Sequence, residues 1–391
     1  MRKAFLLVLC FILCCSAAMT ENGMNLGADG NDWLTYACTL PDGRLLFTGS
    51  RATPGNYQDS RARLLCLNPD LSVSWEYWDP AEGKAHFSGA ALLPDGTIGI
   101  IYTNAPYQET EAIEIRKFTM EGKQIGEAVD IFQNGKTSSL VDSITSACIQ
   151  LDVYTEAGKE QRGFLDWNGN LMFSFGIKEN IGLRSTFAVA DGLVLVGNET
   201  GGSANAKIMK MDMQGNIIWE TVLPMMMENG ARAWIDKCVQ TPDGGFLAWV
   251  IESDYNSDHW AHALVRFDAN GRKLWQNRES FDETPTIGCL KLFEYQGKSI
   301  MLVRNDDNKI RSAMVYRWFD STGEEIGKTE LVIPWEDATG ATAKDPVEAF
   351  NNGIFIAGDK LWSLYEIRIE NDDVRKEMDS SDPVLYQVPA L

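Results

Sequence analysis

Short apolar runs, separated by turns that contain glycine, follow one another along the whole chain. The runs are rich in aliphatic and aromatic residues, as at residues 44–49 and 245–249. Asn-Gly and Asp-Gly pairs between such runs favour tight β-hairpins, because glycine accepts the positive φ that these turns need. No stretch keeps a helical spacing of apolar positions over three turns. The pattern therefore predicts an all-β chain.

A short motif recurs in this pattern, and residues 267–275 carry its clearest copy. With Asp268 as position zero, a glycine follows at +3, an aliphatic residue at +6 and Trp275 at +7. The aspartate and the glycine are typical of a turn, since the carboxylate can accept hydrogen bonds from nearby backbone N–H groups. Position zero falls at residues 68, 119, 166, 212, 268, 320 and, in degraded form, 370, at intervals of 51, 47, 46, 56, 52 and 50 residues.

A second turn precedes the motif in most repeats and joins two β-rich runs. These upstream turns are predicted at residues 41–43, 94–96, 191–192, 242–244, 296–297 and 352–353. The third repeat is irregular, with residues 152–158 in place of a clean hairpin, and the seventh lacks the glycine and the aromatic residue of the motif. Each repeat therefore corresponds to four antiparallel strands, which is the content of one β-propeller blade.

We predict a seven-bladed β-propeller of four-stranded antiparallel blades, with six or eight blades as alternatives. The blades are expected to begin near residues 33, 86, 142, 183, 234, 285 and 344, so that the propeller occupies residues 33–391. Residues 19–32 form an N-terminal segment. The outer strand of the seventh blade is either residues 384–388 or a ring-closing strand from residues 24–28, because terminal repeats depart from the pattern.

The first eighteen residues have the composition of a secretory signal peptide. Arg2 and Lys3 are basic, residues 4–15 are apolar, and residues 16–18 supply the small side chains that signal peptidase accepts. The apolar run is shorter than the roughly 20 residues that span a bilayer. We expect cleavage after Ala18 and secretion, and the alternative is a lipoprotein anchor on Cys14 or Cys15.

Composition excludes some classes of partner. Hydrophobic residues make up 45% of the 391 residues, which is enough for a sizeable core. The formal net charge of −20 argues against nucleic acid and against anionic lipid. No stretch after the signal is long and apolar enough to cross a membrane. Five cysteines remain after residue 18, and we expect buried free thiols rather than a disulfide framework.

Residues 240–275 resemble a known family of repeats. They are similar to repeats of secreted bacterial β-propellers of the quinoprotein-like superfamily, which contain an Asp-Gly-Gly-aromatic turn and end on Asp-x-x-Gly-x-x-x-Trp. The resemblance implies a propeller fold, and for the quinone-dependent members it implies a cofactor held at an adjacent cysteine pair. The only adjacent pair here, Cys14-Cys15, lies in the predicted signal, so we expect no quinone cofactor. The motif tryptophans are expected to pack between blades.

Few residues are candidates for a catalytic or binding role, and for each of them we favour a structural explanation. His259 and His262 are three residues apart on one strand and therefore point to opposite faces. Residues 254–258 imitate half a calcium loop but lack its glycine and distal glutamate. The other candidates are a lone His86, the Gly201-Gly202 loop, residues 305–308 and the Met/aromatic group formed by residues 225–227 with Trp234. We assign no catalytic, cofactor-binding or metal-binding residue.

Strand direction places the predicted function on one face. Antiparallel strands put the short Asp-Gly and Asp-x-x-Gly turns at one end of every blade and the long, irregular loops at the other, as at residues 49–61, 197–206 and 251–262. Recognition usually lies in such loops on a rigid scaffold. We predict an extracellular, monomeric binding or interaction module for a glycan, peptide or protein, at the channel mouth on the long-loop face. The alternative is a glycan hydrolase or lyase with carboxylates at the channel mouth.

Overall fold

A computed structural model describes most of the chain outside the N-terminal residues and several loops. The described residues are 23–27, 31–53, 56–80, 83, 85–104, 112–131, 137–154, 160–176, 181–200, 204–226, 230–254, 260–281, 289–304, 313–321, 324–333, 347–369, 381–389 and 391. Within them lie seven four-stranded antiparallel sheets and no helix. The fold is a seven-bladed β-propeller, and this prediction is confirmed.

The strands follow the predicted order of four per blade. In chain order they are β1 (Met24–Asn25), β2 (Asn31–Thr39), β3 (Leu45–Thr53), β4 (Asn56–Leu67), β5 (Val73–Trp78), β6 (Ala85–Leu92), β7 (Ile98–Asn104), β8 (Ala112–Phe118), β9 (Gln124–Asp130), β10 (Thr137–Ile144), β11 (Ile149–Tyr154), β12 (Glu160–Leu165), β13 (Leu171–Gly176) and β14 (Gly182–Val189). They continue as β15 (Gly192–Asn198), β16 (Ala206–Met211), β17 (Ile217–Leu223), β18 (Gly230–Gln240), β19 (Phe246–Asp254), β20 (Trp260–Phe267), β21 (Lys273–Phe281), β22 (Cys289–Tyr295), β23 (Lys298–Arg304), β24 (Ala313–Phe319), β25 (Glu325–Val332), β26 (Val347–Ala357), β27 (Lys360–Ile369) and β28 (Ser381–Gln387).

The chain divides into two compact units. The first unit contains residues 1–84 and 333–390, with the first blade (β2–β5) and the seventh (β26, β27, β28 and β1). The second contains residues 85–332 and residue 391, with blades two to six.

The first unit contains the ring-closing strand. Met24 and Asn25 of β1 pair antiparallel with Leu385 and Val384 of β28, so β1 is the outer strand of the seventh blade. Of the two predicted alternatives, closure by the N-terminal segment is therefore the correct one, and residues 384–387 belong to the third strand. Tyr36 of β2 stacks on Phe355 of β26 at 4.9 Å between ring centroids.

Two predicted turns are wrong. Asn352-Gly353 lies inside β26 at a β-bulge, and the hairpin turn falls at Gly358-Asp359. The bulge needs this glycine, since a Cβ at Gly353 would lie 2.3 Å from the Cβ of Tyr36. In the third blade, residues 152–154 continue β11, and the turn at residues 145–148 is closed by Thr145, whose hydroxyl accepts from the backbone N–H of Cys148.

Further expectations concern one long loop, the irregular third repeat and the motif position of the seventh repeat. The loop expected at residues 49–61 is mostly strand, because β3 and β4 pair up to Thr53 and Asn56. Residues 155–158 and the degraded motif position at residue 370 lie outside the described residues.

The repeated motif forms the turn that its sequence predicts. Asp268 Oδ1 accepts hydrogen bonds from the backbone N–H groups of Asn270 and Arg272, both at 2.9 Å. Gly271 adopts a φ of 77°, which favours glycine. The same carboxylate geometry recurs at Asp212.

The motif also joins one blade of the second unit to the next. A Cβ at Gly271 would lie 2.4 Å from the indole of Trp219, the aromatic residue of the preceding motif. In the same way, a Cβ at Gly215 would lie 2.9 Å from the ring of Phe173. The glycine at +3 therefore receives the aromatic residue at +7 of the blade before it, which confirms that this aromatic residue packs between blades.

Candidate functional site

A β-bulge interrupts the inner strand of every blade within the described residues. The residues that the bulges insert are Ala37, Ser88, Asp142, Arg184, Asp236, Leu290 and Asn352. A bulge bends its strand and re-aims the side chains beside it. In β14, β18 and β22 of the second unit, the residue inserted by the bulge or the one directly after it is charged, namely Arg184, Asp236 with Lys237, and Lys291.

Arg184 and two tryptophans form the first part of this site. The Arg184 guanidinium lies over the Trp234 ring, 5.4 Å from its centroid. Trp234 meets Trp260 edge to face, with centroids 5.9 Å apart and an interplanar angle of 85°. Arg184 is exposed and both tryptophans are partly exposed. Trp260 begins β20 and Arg184 is near the start of β14, so this group lies at the long-loop end of the fourth and fifth blades.

Two lysines form the second part. Lys237 Nζ lies 3.1 Å from Asp236 Oδ2, next to it in the chain. Lys291 on the neighbouring inner strand is solvent-accessible, yet desolvation by the surrounding protein and then the charge of Lys237 lower its pKa. Lys237 and Lys291 lie on adjacent inner strands, and the charge of Lys237 disfavours the protonated form of Lys291.

The charge balance of this site is opposite to that of the chain. Arg184 and Lys291 have no hydrogen bond or ion pair to another side chain within the described residues, and Lys237 is paired only with Asp236. The formal net charge of the protein is −20, with 55 acidic residues available. Two unpaired cations therefore lie on inner strands of the fourth and sixth blades, although carboxylates are abundant elsewhere. We name Arg184, Trp234, Lys237, Trp260 and Lys291 the basic–aromatic site.

Buried contacts hold the segments on which this site stands. Glu252 of β19 is fully buried, and its Oε2 accepts a 2.6 Å hydrogen bond from the backbone N–H of Met226, which precedes β18. The backbone N–H of Ala233 donates to the carbonyl of Ala204 at 2.6 Å. Met225 and Met226 pack against the apolar core of the fourth and fifth blades. Met225 and Met226 are therefore structural support, as expected, whereas Met227 lies outside the described residues and Trp234 belongs to the site.

The other predicted candidates do not converge. His262 is buried and stacks on Trp249 at 5.2 Å. His259, Gly201-Gly202, residues 255–258 and residues 305–308 lie outside the described residues. In the part of the chain that is described, no three His, Cys, Asp or Glu side chains are arranged to hold a metal ion. The same part contains no helix long and apolar enough to span a membrane.

The five cysteines of the described chain are free thiols. Cys66, Cys148 and Cys289 are buried, and Cys38 and Cys238 are partly buried. Burial raises the pKa of Cys66 to about 11 and also raises that of Cys289, next to Lys291. Protonated thiols of this kind behave as small hydrophobic side chains.

One carboxyl group among the described residues has a raised pKa. Burial raises the pKa of Glu294 in β22, and its Oε1 has no hydrogen-bond partner. The nearest charged groups that affect it are Arg266 and Asp243, which form an ion pair at 2.6 Å beside the short turns. Glu294 therefore lies toward the short-turn end of its strand, and no second carboxyl with a raised pKa accompanies it in the described chain.

Comparison with known proteins identifies no family for this chain. No protein-family model and no curated protein matches the chain. Among solved structures, the chain is similar to the β-propeller domain of the Trilobed protease from Pyrococcus furiosus, with 9% identity over 87% of this chain and 93% of that chain and a TM-score of 0.49. It is also similar to the Pyrococcus horikoshii acylaminoacyl peptidase, with 10% identity over 87% of this chain and 51% of that chain and a TM-score of 0.46. A further similarity is to the WD40 domain of SCAP from fission yeast, with 9% identity over 85% and 82% of the two chains and a TM-score of 0.37.

Proposed function

We propose that the protein is an extracellular binding module that holds its ligand at the basic–aromatic site. One observation carries the proposal. Arg184 lies exposed over Trp234 at 5.4 Å, with no carboxylate partner in the described chain. Aromatic and arginine side chains provide most of the binding energy at many recognition sites, because they offer large apolar faces together with polar groups. Rigid inner strands support the group, which is the arrangement that precise recognition needs.

A ligand screen tests the binding proposal. Ligands that bind the folded state raise the melting temperature of residues 19–391 by mass action. We expect a glycan or peptide to give such a shift and Trp234→Leu to remove it. Trp78→Leu is the matched control, since Trp78 also lies under an arginine (Arg51, at 4.7 Å) but in the first blade. If no ligand shifts the melting temperature, or if Trp78→Leu alone removes the shift, the proposal is wrong.

Secretion is the second part of the proposal. It is supported by the basic, apolar and small-residue order of residues 1–18 and by the resemblance of residues 240–275 to secreted bacterial propellers. Intact-mass measurement on protein from the culture medium should give a chain that begins at Met19. A lipid-modified N-terminus at Cys14 or Cys15 would replace secretion by membrane anchoring, and an uncleaved intracellular chain would contradict both.

A glycan hydrolase is the second candidate function, and Glu294 is the observation in its favour. A half-buried carboxyl with a raised pKa, one oxygen of which is buried without a hydrogen-bond partner, is suited to act as a general acid. Release of reducing ends from glycan polymers, abolished in Glu294→Gln, would support catalysis. Equal release by both proteins would exclude Glu294 as the acid.

A further inference from the structure

Three neighbouring inner strands of the second unit each contribute a cation to the basic–aromatic site. Arg184 comes from β14, Lys237 from β18 and Lys291 from β22. Surface lysines without partners are common, but these positions are not ordinary surface. Each lies at or directly after a β-bulge in an inner strand, where the chain holds its side chain in a fixed direction. Cations in such places favour a ligand that brings the missing negative charges.

The two tryptophans of the site restrict the part of that ligand that carries no charge. Trp234 and Trp260 meet edge to face and are both partly exposed, so their rings form an apolar surface beside the cations. Tryptophan offers a wide flat face together with an N–H donor, which suits a ring that is apolar on its faces and polar at its edge. A sugar ring has this form, whereas the side chain of an acidic peptide carries charge without a ring.

Charge density separates a saccharide from a nucleic acid. Duplex DNA carries one charge per roughly 1.7 Å of its axis, and the net charge of −20 on the protein disfavours its approach. Acidic saccharides such as oligogalacturonate and alginate carry one carboxylate on each sugar, spaced along the chain. Three cations on successive inner strands can meet such charges one after another.

We propose that the basic–aromatic site binds an acidic saccharide, with the sugar ring against Trp234 and Trp260 and its carboxylate or sulfate groups at Arg184, Lys237 and Lys291. This inference rests on the proposed binding function and specifies its ligand. The planar guanidinium of Arg184 suits paired hydrogen bonds to a carboxylate or sulfate, and the lysines act as point charges.

Calorimetric titration of residues 19–391 tests the inference with three acidic saccharides: oligogalacturonate, alginate oligomers and heparin fragments. Methyl-esterified oligogalacturonate is the neutral match of the first. We expect at least one acidic saccharide to bind, and if oligogalacturonate binds, its methyl ester should bind about tenfold or more weakly, because a charge-assisted hydrogen bond contributes on this order. Arg184→Gln and Lys291→Gln should each weaken binding about tenfold. Arg278→Gln, an exposed arginine on the outer strand β21, should leave it unchanged.

The outcomes separate this inference from the proposed function. If a neutral saccharide binds and Trp234→Leu weakens it, the binding function stands and the acidic class is wrong. If a polyglutamate peptide or a single-stranded oligonucleotide binds more tightly than every acidic saccharide, the ligand class is wrong as well. Binding of an acidic saccharide that Arg184→Gln and Lys291→Gln leave intact would place the ligand elsewhere. If nothing binds, both proposals fail. Unchanged melting temperatures of the variants would show that each is folded.

Discussion

Two arginine–tryptophan contacts in the protein differ in what surrounds them. In the first blade, Arg51 and Arg63 both lie over the ring of Trp78, at 4.7 and 5.1 Å. The carboxylate of Asp32, which is fully buried, lies 2.7 Å from Arg51, and that of Glu76 lies 2.6 Å from Arg63. We call this the closed contact. The contact of Arg184 with Trp234 has the same two residue types and no carboxylate, and we call it the open contact.

The difference indicates what each contact is for. Arg63 also donates to the carbonyl of Leu26 at 3.1 Å, directly after the ring-closing strand β1, so the closed contact fixes the N-terminal segment to the first blade. Every charge in it has a partner within the protein. The open contact leaves its charge available to solvent or to a ligand. The same pair of residue types therefore supports the fold in one blade and, in our proposal, recognition in another.

The largest expected effect is loss of the closed contact through Asp32→Ala. This change leaves Arg51 and Arg63 without their buried carboxylate, and breaking a buried ion pair costs about 3–5 kcal/mol. Urea denaturation should show a loss of unfolding free energy of this order. Asp42→Ala is the control, because Asp42 pairs with Arg44 on the surface and such pairs contribute about 0–1 kcal/mol. Equal losses in the two variants would contradict the distinction.

The arginines themselves give the next largest difference. Arg63→Gln should lower the unfolding free energy by about 2–3 kcal/mol, since a charged hydrogen-bonding partner is lost while Asp32 keeps Arg51. Arg184→Gln should change it by less than about 0.5 kcal/mol, as for most surface substitutions. Thermal and urea denaturation of both variants measure this contrast. A large loss in Arg184→Gln would show that the open contact is structural.

The sequence predicted the turns and the packing between blades better than it predicted the basic–aromatic site, for a physical reason. The Asp268 turn and the packing of Trp219 on Gly271 depend on residue types at fixed spacing, and spacing is visible in a sequence. The clearest motif specifies how one blade joins the next. It has no part in the basic–aromatic site.

Apart from Trp234, the residues of the proposed site were not found in the sequence, because the site depends on bulges. A bulge shifts the alternation of a strand by one residue, so Arg184 and Asp236 read as ordinary strand residues in a period-two pattern. The same shift misled the prediction at Asn352-Gly353, where a bulge has the composition of a hairpin turn. A usable signal was present in β18, where Trp234, Asp236 and Lys237 place aromatic and charged residues in a strand that should be buried.

Lowering the pH should destabilise the turns formed by Asp212 and Asp268, whereas the open contact contains no carboxylate. Hydrogen bonds to Asp212, from the Asn216 side chain first, and to Asp268, from the backbone N–H of Arg272 first, lower the pKa of both carboxyls. A lowered folded-state pKa gives stability that is complete above the unfolded value of about 3.9 and is lost as pH falls through the folded value. The melting temperature should therefore fall as the pH drops below about 4. The fall should be shallower in the double variant Asp212→Asn, Asp268→Asn, and an equal fall would contradict this cause.

The smallest expected effect tests whether the basic–aromatic site is short of negative charge. Asp236 is the one carboxylate paired with a cation of this site in the described chain, at 3.1 Å from Lys237. Asp236→Asn should therefore tighten binding of an acidic ligand about two- to fivefold, since a partly exposed ion pair of this kind contributes up to about 1 kcal/mol. Asp191→Asn, which removes a similar partner from Lys210 at the turn between β14 and β15, should not change the affinity. Weaker binding in Asp236→Asn would mean that Asp236 contacts the ligand or holds Lys237 in place for it. The site would then contain both charges and would favour a ligand with a hydrogen-bond donor beside its anionic group.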